Sequence, residues 1–292
     1  MDSFSISELA QYSGIKSHTI RIWEKRYDAL KPSRSLGNTR YYDSRQLKRL
    51  LNISALLDSD YRVSELCTMP DEVLKSLNRK ILQAKKPAPA EYFISQLISA
   101  ALTYNEPQFV NIFSHCLLRY GMKDTYTQVI YPTLNRIGLM WLNDSLPTSN
   151  EHFISNLIRQ KLFTAIDSLT PAKPDSPLWI LFLPENEFHE IGLLLANYLI
   201  RLSGQRVIYL GGNIPESSVR IAVKDLNPEN LLLSFVHHDT IINIQKYIDR
   251  LRKDLPVNKI YVAANPELFY QLKAGKKILF LDSAEDLVMN LS

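Results

Sequence analysis

The sequence predicts a multidomain protein of α and α/β class. Two proline-containing stretches, at 83–91 and 171–177, divide the chain into three parts. The first two parts show helical patterns and one short hairpin, whereas in the third short apolar runs alternate with helical segments. We therefore predict domains at 1–82, 91–170 and 177–292.

Two short helices begin the first domain. Ser5 and Glu8 are spaced as a capping box for a helix that ends near Ser13-Gly14. Ser17 is predicted to cap a second helix over 18–27. Two short helices joined by a tight turn that contains glycine are typical of a helix-turn-helix.

A hairpin-like wing is predicted at 31–42, with its turn at Gly37-Asn38. Asp43-Ser44 can cap a further helix over 45–58, and a fourth helix is expected at 63–69. The first domain is therefore predicted to be a winged helix-turn-helix.

Four helical segments are predicted in the second domain, at about 92–104, 107–120, 123–143 and 149–169. Pro107, Gly121 and Pro147 separate them. Because short connections favour antiparallel neighbours, we expect a four-helix bundle.

Five apolar runs alternate with helical stretches in the third domain. This alternation implies a parallel five-stranded sheet covered on both faces, as in a flavodoxin-like (Rossmann-type) fold. The predicted strands are 178–183, 207–210, 231–236, 260–263 and 278–281.

Positive charge is concentrated near the N-terminus. Residues 16–49 contain 10 Lys and Arg against 3 Asp and Glu, whereas residues 87–292 contain 18 against 20. This asymmetry indicates a polyanionic partner for the first domain only. No apolar run approaches the roughly 18 residues of a membrane span, and no secretory signal begins the sequence. With Cys67 and Cys116 expected to be buried thiols, we expect a cytoplasmic location and no membrane partner.

The second helix carries the residues expected to contact DNA. In a helix-turn-helix the first residues of this helix reach base edges in the major groove, where Arg21 can bind guanine through two hydrogen bonds. Side chains on the wing suit phosphate or minor-groove contacts. The predicted DNA-binding residues are Ser17, His18, Thr19, Arg21, Lys25, Arg26, Arg34, Arg40 and Tyr41.

A single histidine is the candidate ligand-binding residue of the third domain. His189 lies in the loop after the first strand, where open α/β sheets bind ligands. Imidazole binds transition metals, and Glu187 can orient the ring by accepting a hydrogen bond. Gly192 allows the next helix to begin close to a bulky planar ligand. The alternative is a histidine with a purely structural role.

The N-terminal residues resemble the MerR family of winged helix-turn-helix regulators. The resemblance runs from Phe4 to about Leu66 and implies a dimer on a near-palindromic operator. It is carried by Ile6-Ser7-Glu8-Leu9-Ala10, Gly14, the run from Thr19 to Tyr27, Leu30-Lys31-Pro32 and Arg40-Tyr41-Tyr42.

The third domain resembles the cobalamin-binding flavodoxin-like domains. Glu187, His189 and Gly192 match their D-x-H-x-x-G signature, with Glu in place of Asp. The resemblance implies that His189 is the lower axial ligand of cobalt in a bound cobalamin.

Two later motifs of that family are matched in part. Ser234 and Val236 stand where S-x-L is expected, 41 residues beyond the first signature. Ala263-Ala264 replace the Gly-Gly of the family, which adds two methyl groups where the nucleotide tail would pass close to the backbone. The resemblance assigns all four residues to the cofactor site.

A further motif lies in the predicted bundle. Trp141, nine residues and then Glu151-His152 resemble the W-x9-E-H pattern of cobalamin-dependent light-sensing repressors of the CarH/LitR type. The resemblance implies that these residues cover the upper face of adenosylcobalamin, with Trp141 beside the adenosyl group. It also implies a homo-oligomeric repressor, dimer or tetramer, that senses light.

Three classes of function follow. The first is a DNA-binding transcriptional regulator controlled by cobalamin, which is not an enzyme. The second is the same regulator with a degenerate, cobalamin-independent sensor domain, because Ala263-Ala264 alter the expected pocket. The third is an enzyme or corrinoid carrier, since methyltransferase carrier modules pair a helical cap with the same sheet; the basic N-terminal domain disfavours it.

Overall fold

A capping box begins the first helix of the computed structural model, α1 (Ile6–Ser13). The Ser5 hydroxyl accepts from the amide of Glu8, and the Glu8 carboxylate accepts from the amide of Ser5. Gly14, with φ +73°, ends the helix in the left-handed conformation, as expected. The structure describes residues 4–34, 38–83, 89–143, 145–236, 241–264, 266–273 and 275–291.

The second helix, α2 (Ser17–Tyr27), begins one residue earlier than predicted. Lys16 is its N-cap residue, and the amides of Thr19 and Ile20 donate to the Lys16 carbonyl. The predicted cap by Ser17 is therefore wrong: Ser17 is already inside the first turn, and no side chain caps this helix.

The wing consists of two short antiparallel strands, β1 (Ser33–Arg34) and β2 (Arg40–Tyr41). Asn38 has φ +60°, as expected in a tight turn, and Gly37 lies outside the described residues. Beyond the wing, Phe4 and Tyr42 form an antiparallel bridge that joins the start of the chain to the hairpin.

Three helices complete the N-terminal domain: α3 (Ser44–Ser54), α4 (Val63–Thr68) and α5 (Asp71–Gln83). The Asp43 carboxylate caps α3 at the amide of Gln46, as predicted, but the helix ends four residues before the expected end. The sequence analysis assigns no element to α5. Its inward face carries the polar Asn78, which is buried and donates to the Asn52 carbonyl of α3.

The bundle contains α6 (Ala90–Leu102), α7 (Glu106–Thr125), a π-helical turn (Tyr126–Ile130), α8 (Tyr131–Leu142) and α9 (Thr148–Asp167). Gly121 interrupts α7 with φ +69° and ψ 175°, which is the break that the sequence predicts. Helix α6 packs against α7 and α8.

The winged helix-turn-helix and the bundle, up to the middle of α9, lie in one compact unit, Met1–Leu157; the rest of α9 belongs to the second unit, Ile158–Ser292. Within the first unit, the Ser145 hydroxyl donates to Glu8 of α1, and the Asn143 amide donates to the Tyr12 hydroxyl. These bonds attach α1 to the connection between α8 and α9. The division of the chain at 83–91 and 171–177 stays a prediction.

The second unit is built around a five-stranded parallel sheet, as predicted, in the order β4-β3-β5-β6-β7. The sheet reverses its order at β3, so the crevice beyond β3 and β5 is the topological switch point. The elements are β3 (Leu178–Pro184), α10 (Ile191–Leu202), β4 (Arg206–Ile214), α11 (Glu216–Leu226), β5 (Asn230–Phe235), α12 (Ile241–Asp254), β6 (Lys259–Ala264), α13 (Pro266–Phe269), β7 (Ile278–Leu281) and α14 (Ala284–Asn290).

The two faces of the sheet carry different helices. Val219 of α11 and Ile244 of α12 pack with Leu233 and Val262 in one core cluster. Helices α10 and α14 contact each other and contribute no residue to that cluster, so they cover the opposite face. None of the helices within the described residues is long and apolar enough to cross a membrane.

Candidate DNA-binding and cofactor sites

Helix α2 separates its buried face from a polar, basic face. Ile20 and Trp23 are buried against the domain core, as the helical spacing predicts. The opposite side presents four exposed polar side chains and the exposed Ile22, while Ser17 and Thr19 are half-buried at the start of the helix. The exposed polar set is His18, Arg21, Lys25 and Arg26.

The wing extends this basic surface, but one of its arginines has an internal partner. Arg34 and Tyr41 are exposed. Arg40 is half-buried, and its Nε lies 2.8 Å from Glu24 Oε1, while the Tyr42 hydroxyl donates to Glu24 Oε2 at 2.9 Å. Glu24, which the sequence analysis did not single out, therefore connects the wing to α2. Burial, followed by this bond to Glu24, raises the pKa of Tyr42.

The loop after β3 holds His189 against a buried carboxylate. Glu187 is 4% exposed, and its Oε1 lies 2.6 Å from His189 Nδ1. The same oxygen accepts from the backbone amides of Phe188 and His189. Its other oxygen accepts from the amide of Val236 at 2.8 Å, at the end of β5. The acceptor role that the sequence suggests for Glu187 thus corresponds to a short contact.

The contact between Glu187 Oε1 and His189 Nδ1 favours one tautomer of the imidazole. A carboxylate at Nδ1 favours the tautomer with the proton on Nδ1 and the lone pair on Nε2. The His189 side chain is 49% exposed, beyond the carboxyl end of β3. In this tautomer the ring presents Nε2 at an edge of the sheet that ligands can reach.

The other residues assigned to the cofactor lie around the same edge. Gly192 is exposed in the first turn of α10, and Val236 is 51% exposed. Ser234 is opposite Ala263 in the parallel pairing of β5 and β6, and Ala264 follows. Ala264 packs against the core cluster on the α11 and α12 side. Because strand residues alternate, Ser234 and Ala263 face α10.

The end of β4 supports the His189 loop. Gly211 has φ +86°, and a Cβ on Gly212 would lie 3.3 Å from the Glu187 carbonyl oxygen. The amide of Asn213 donates to that oxygen at 2.9 Å. Glu190 accepts from the amide of Gly212 and from the Tyr209 hydroxyl. Glu190 and Tyr209 are not among the predicted site residues, because they lie 19 positions apart in the chain and form no motif.

The bundle residues of the W-x9-E-H pattern lie in the first unit. Trp141 is 37% exposed at the end of α8, and its indole donates to the Thr148 hydroxyl at 3.1 Å. Glu151 and His152 are in the first turns of α9, with His152 Nε2 3.6 Å from Glu151 Oε2. The short connection before α9 keeps the three residues at one end of the helix pair.

The donor set distinguishes two kinds of metal site. Among the described residues, no group of three or more His, Cys, Asp or Glu side chains could hold a metal ion. A single oriented imidazole suits a metal whose other positions are filled by a macrocycle, as in a corrin. The residues around His189 therefore fit such a group better than a bare ion.

Both cysteines are buried free thiols, as expected. Burial raises the pKa of the Cys67 thiol to about 11 and that of Cys116 to about 12. Neither thiol is poised for reaction, because reactivity requires the thiolate.

Comparison with known proteins relates two parts of the chain to known families and folds. Residues 4–69 match the family model "MerR HTH family regulatory protein". The monomethylamine corrinoid protein of Methanosarcina barkeri has a similar fold: its TM-score is 0.53 at 16% identity, over 68% of this chain and 96% of that one. The chain thus contains a helix-turn-helix segment that matches the MerR model, and it shares the fold of a corrinoid protein over about two thirds of its length.

Two curated repressors resemble most of the chain. The HTH-type transcriptional repressor CarH of Myxococcus xanthus is 27% identical over 259 residues, which is 87% of this chain and 86% of CarH. The repressor CarA of the same organism is 27% identical over 237 residues, which is 79% of this chain and 76% of CarA.

Proposed function

We propose that this protein is a cobalamin-controlled transcriptional repressor. The observation that carries the proposal is the Glu187–His189 pair, an imidazole oriented beyond the carboxyl end of β3 in a chain whose residues 4–69 match a MerR-type model. The similarity to two repressors over most of the chain supports it. The proposed setting is the cytoplasm, with duplex DNA as the partner.

The DNA-binding half of the proposal uses α2 and the wing. Arg21, His18 and Thr19 lie in the first turns of α2 and are proposed to reach base edges. Ser17, Lys25, Arg26, Arg34 and Tyr41 are proposed to contact the backbone or the minor groove. Arg40 is proposed to contribute through its ion pair with Glu24, which holds the wing. A homodimer, or a tetramer built from dimers, would match a near-palindromic operator.

The cofactor half places the corrin at the C-terminal edge of the sheet. Glu187 would keep the proton at His189 Nδ1 and leave the lone pair on Nε2, so that His189 would be the residue that holds the cobalt of a bound cobalamin. Gly192, Ser234, Val236 and Ala263-Ala264 are proposed to border the nucleotide tail. Trp141, Glu151 and His152 are proposed as further cofactor residues, as the W-x9-E-H resemblance implies. In its adenosyl form the bound cofactor would supply a light-sensitive cobalt–carbon bond, and light sensing is part of the proposal.

A second candidate rests on a specific observation. The methyl group of Ala263 lies beside Ser234 on the α10 side of the sheet, where the resembling family has glycine. A pocket closed in this way would leave a DNA-binding regulator that responds to a protein partner or to another ligand.

One experiment separates the two candidates. Purified protein is incubated with adenosylcobalamin in the dark, desalted, and its visible absorption spectrum recorded before and after illumination. Operator binding is measured for the protein without cofactor, for the loaded protein in the dark and for the loaded protein after illumination. The proposal expects a coloured protein whose spectrum changes in light and whose operator affinity falls. A protein that emerges colourless, with equal operator affinity throughout, would support the second candidate.

A further inference from the structure

The side chain of Glu190 is directed away from the helix that it begins. Glu190 is the N-cap residue of α10, and its carbonyl accepts from the amide of Leu194 at 2.8 Å. Its carboxylate makes no capping bond to α10. The side chain instead crosses to the end of β4.

Beside β4 the carboxylate meets three donors, two from that strand and one from α9. Glu190 Oε1 accepts from the amide of Gly212 at 3.0 Å and from the Tyr209 hydroxyl at 3.2 Å. Its Oε2 lies 3.6 Å from Arg159 Nη1 of α9. The charge of Glu190, after burial, contributes to the raised pKa of Tyr209. Hydrogen bonds to an ionised acceptor are about twice as strong as neutral ones.

The backbone of β4 has the shape that this contact requires. A Cβ on Gly211 would lie 3.0 Å from Glu190 Oε1, and Gly211 already has φ +86°. The Gly211-Gly212 pair thus leaves room for the carboxylate and for the loop after β3. The amide of Asn186 also donates to Asn213 Oδ1 at 2.9 Å, which adds a second attachment to the same strand end.

His189 lies between two carboxylates that bind opposite sides of its loop. On one side Glu187 binds the amide of Val236 at the end of β5. On the other side Glu190 binds Gly212 at the end of β4. One residue separates Glu187 from His189, and Glu190 follows His189 directly. The loop is therefore fixed to the two strands that flank β3 in the sheet.

We propose that Glu190 is a positioning residue for His189: by binding Gly212, Tyr209 and Arg159 it holds the loop so that the imidazole faces a cobalamin ligand. This inference rests on the proposed function. Glu190 touches neither the imidazole nor the reacting bond in this account, and it acts through the backbone of the loop.

The test compares Glu190→Ala, Glu190→Gln and Tyr209→Phe in the full-length protein, with Glu185→Ala as the matched control. Glu185 is an exposed carboxylate in the same loop. Cobalamin affinity is measured by titration, and the absorption spectrum shows whether an imidazole is bound to cobalt. Glu190→Ala is expected to weaken binding by about ten-fold or more, as removal of outer partners of a metal ligand does. It is also expected to shift the spectrum toward the form without a histidine ligand.

The conservative variants make the role specific. Glu190→Gln keeps an oxygen that can accept from Gly212, so it should retain most of the affinity and the histidine-bound spectrum. Tyr209→Phe should give an intermediate loss, and Glu185→Ala should match the wild type. Unchanged affinity and spectrum in Glu190→Ala would overturn the inference. If Glu190→Ala does not fold, a Tyr209→Phe protein equal to the wild type would overturn it.

Hydrogen exchange in the ligand-free protein gives a readout that needs no cofactor. The peptide that contains Gly212 should exchange faster in Glu190→Ala than in the wild type, and the Glu185→Ala control should not differ. Equal protection in all three proteins would contradict the anchoring role. A wild-type protein that binds no cobalamin would refute the proposed function, and the exchange result would still test the anchor separately.

Discussion

Arg136 and Glu91 form a two-pronged ion pair inside the N-terminal unit, with Nη1 2.7 Å from Oε1 and Nη2 2.8 Å from Oε2. The pair joins α8 to α6, and both side chains are mostly buried, at 18% and 33% exposed. A Cβ on Gly14 would lie 2.9 Å from Arg136 Nη2, so the backbone of the turn after α1 lies close to this guanidinium. The bundle and the first turn of the DNA-binding domain are thus stabilised by the same pair.

We expect Arg136→Ala to destabilise the protein by about 1.5–3 kcal/mol, because charged hydrogen bonds are lost and Glu91 is left half-buried without its main partner. Denaturant unfolding would measure the loss. Lys75→Ala is the control: it breaks the exposed Lys75–Glu72 pair, and such pairs contribute little. Equal stability of the two variants would contradict a structural role for the Arg136–Glu91 pair.

Glu8 predicts a pH dependence of stability. Burial alone would raise the pKa of its carboxyl, but hydrogen bonds from Ser5 and Ser145 outweigh burial and lower it. A pKa lower in the folded than in the unfolded protein stabilises the fold above the unfolded value of 4.5, and this stabilisation disappears as the pH falls through the folded pKa.

Thermal melts from pH 6 down to pH 3 would therefore show a steeper loss of stability for the wild type than for Glu8→Gln, which has no carboxyl to titrate. Parallel curves for the two proteins would mean that Glu8 has the same pKa in both states.

Replacement of Glu187 is expected to weaken cofactor binding. Glu187→Ala removes the acceptor of the His189 ring and leaves the Val236 amide without this partner. Cobalamin affinity is expected to fall by about 10–100-fold, as for other residues that orient a metal-bound histidine. Titration monitored by visible absorption would measure it. Glu187→Gln should fall between Ala and the wild type, because its amide oxygen can still accept a hydrogen bond.

Replacement of each of the two alanines by glycine is expected to affect cobalamin affinity differently. Ala263→Gly removes a methyl group from the α10 side of the sheet, whereas Ala264→Gly removes one from the opposite core. If the nucleotide tail passes on the α10 side, Ala263→Gly should raise cobalamin affinity about five-fold, which corresponds to about 1 kcal/mol of relieved crowding. Ala264→Gly should not raise it. Equal effects of both substitutions would locate the tail elsewhere.

Arg21 predicts sequence-specific DNA binding. Arg21→Ala should cost about 1–3 kcal/mol at the preferred operator and relax its specificity, because a two-bond contact to a base is lost. Fluorescence anisotropy at fixed salt would measure both. Arg119→Ala, which removes an exposed arginine of the bundle, should leave the affinity unchanged. A loss that is the same for every DNA sequence would reassign Arg21 to a phosphate contact.

The elements with strong local signals were predictable, and those that depend on partners were not. The capping box of Ser5 and Glu8 and the break at Gly121 follow from local chemistry. The cap of α2 was misassigned because Lys16 uses its carbonyl, and backbone groups carry no residue signature. Helix α5 was missed because the inward Asn78 interrupts its apolar pattern; its amide donates to the Leu74 carbonyl and, across the core, to the Asn52 carbonyl of α3.

The candidate site divides in the same way. Glu187 and His189 are two residues apart, so the sequence alone suggests their contact. The amides of Val236 and Gly212 are backbone donors at distant positions, and only the sheet order brings them to the loop. The orientation of Ala263 depends on the strand register, which the sequence does not specify.

The attachment of the His189 loop at both ends has a kinetic consequence. Hydrogen bonds to β4 and β5 hold the loop in one conformation, so little conformational freedom remains to be lost when a ligand binds. Weakening of this order by substitution should then appear mainly as faster dissociation, with the association rate nearly constant. The residence time of the ligand, rather than its rate of capture, is the quantity that Glu187 and Glu190 control.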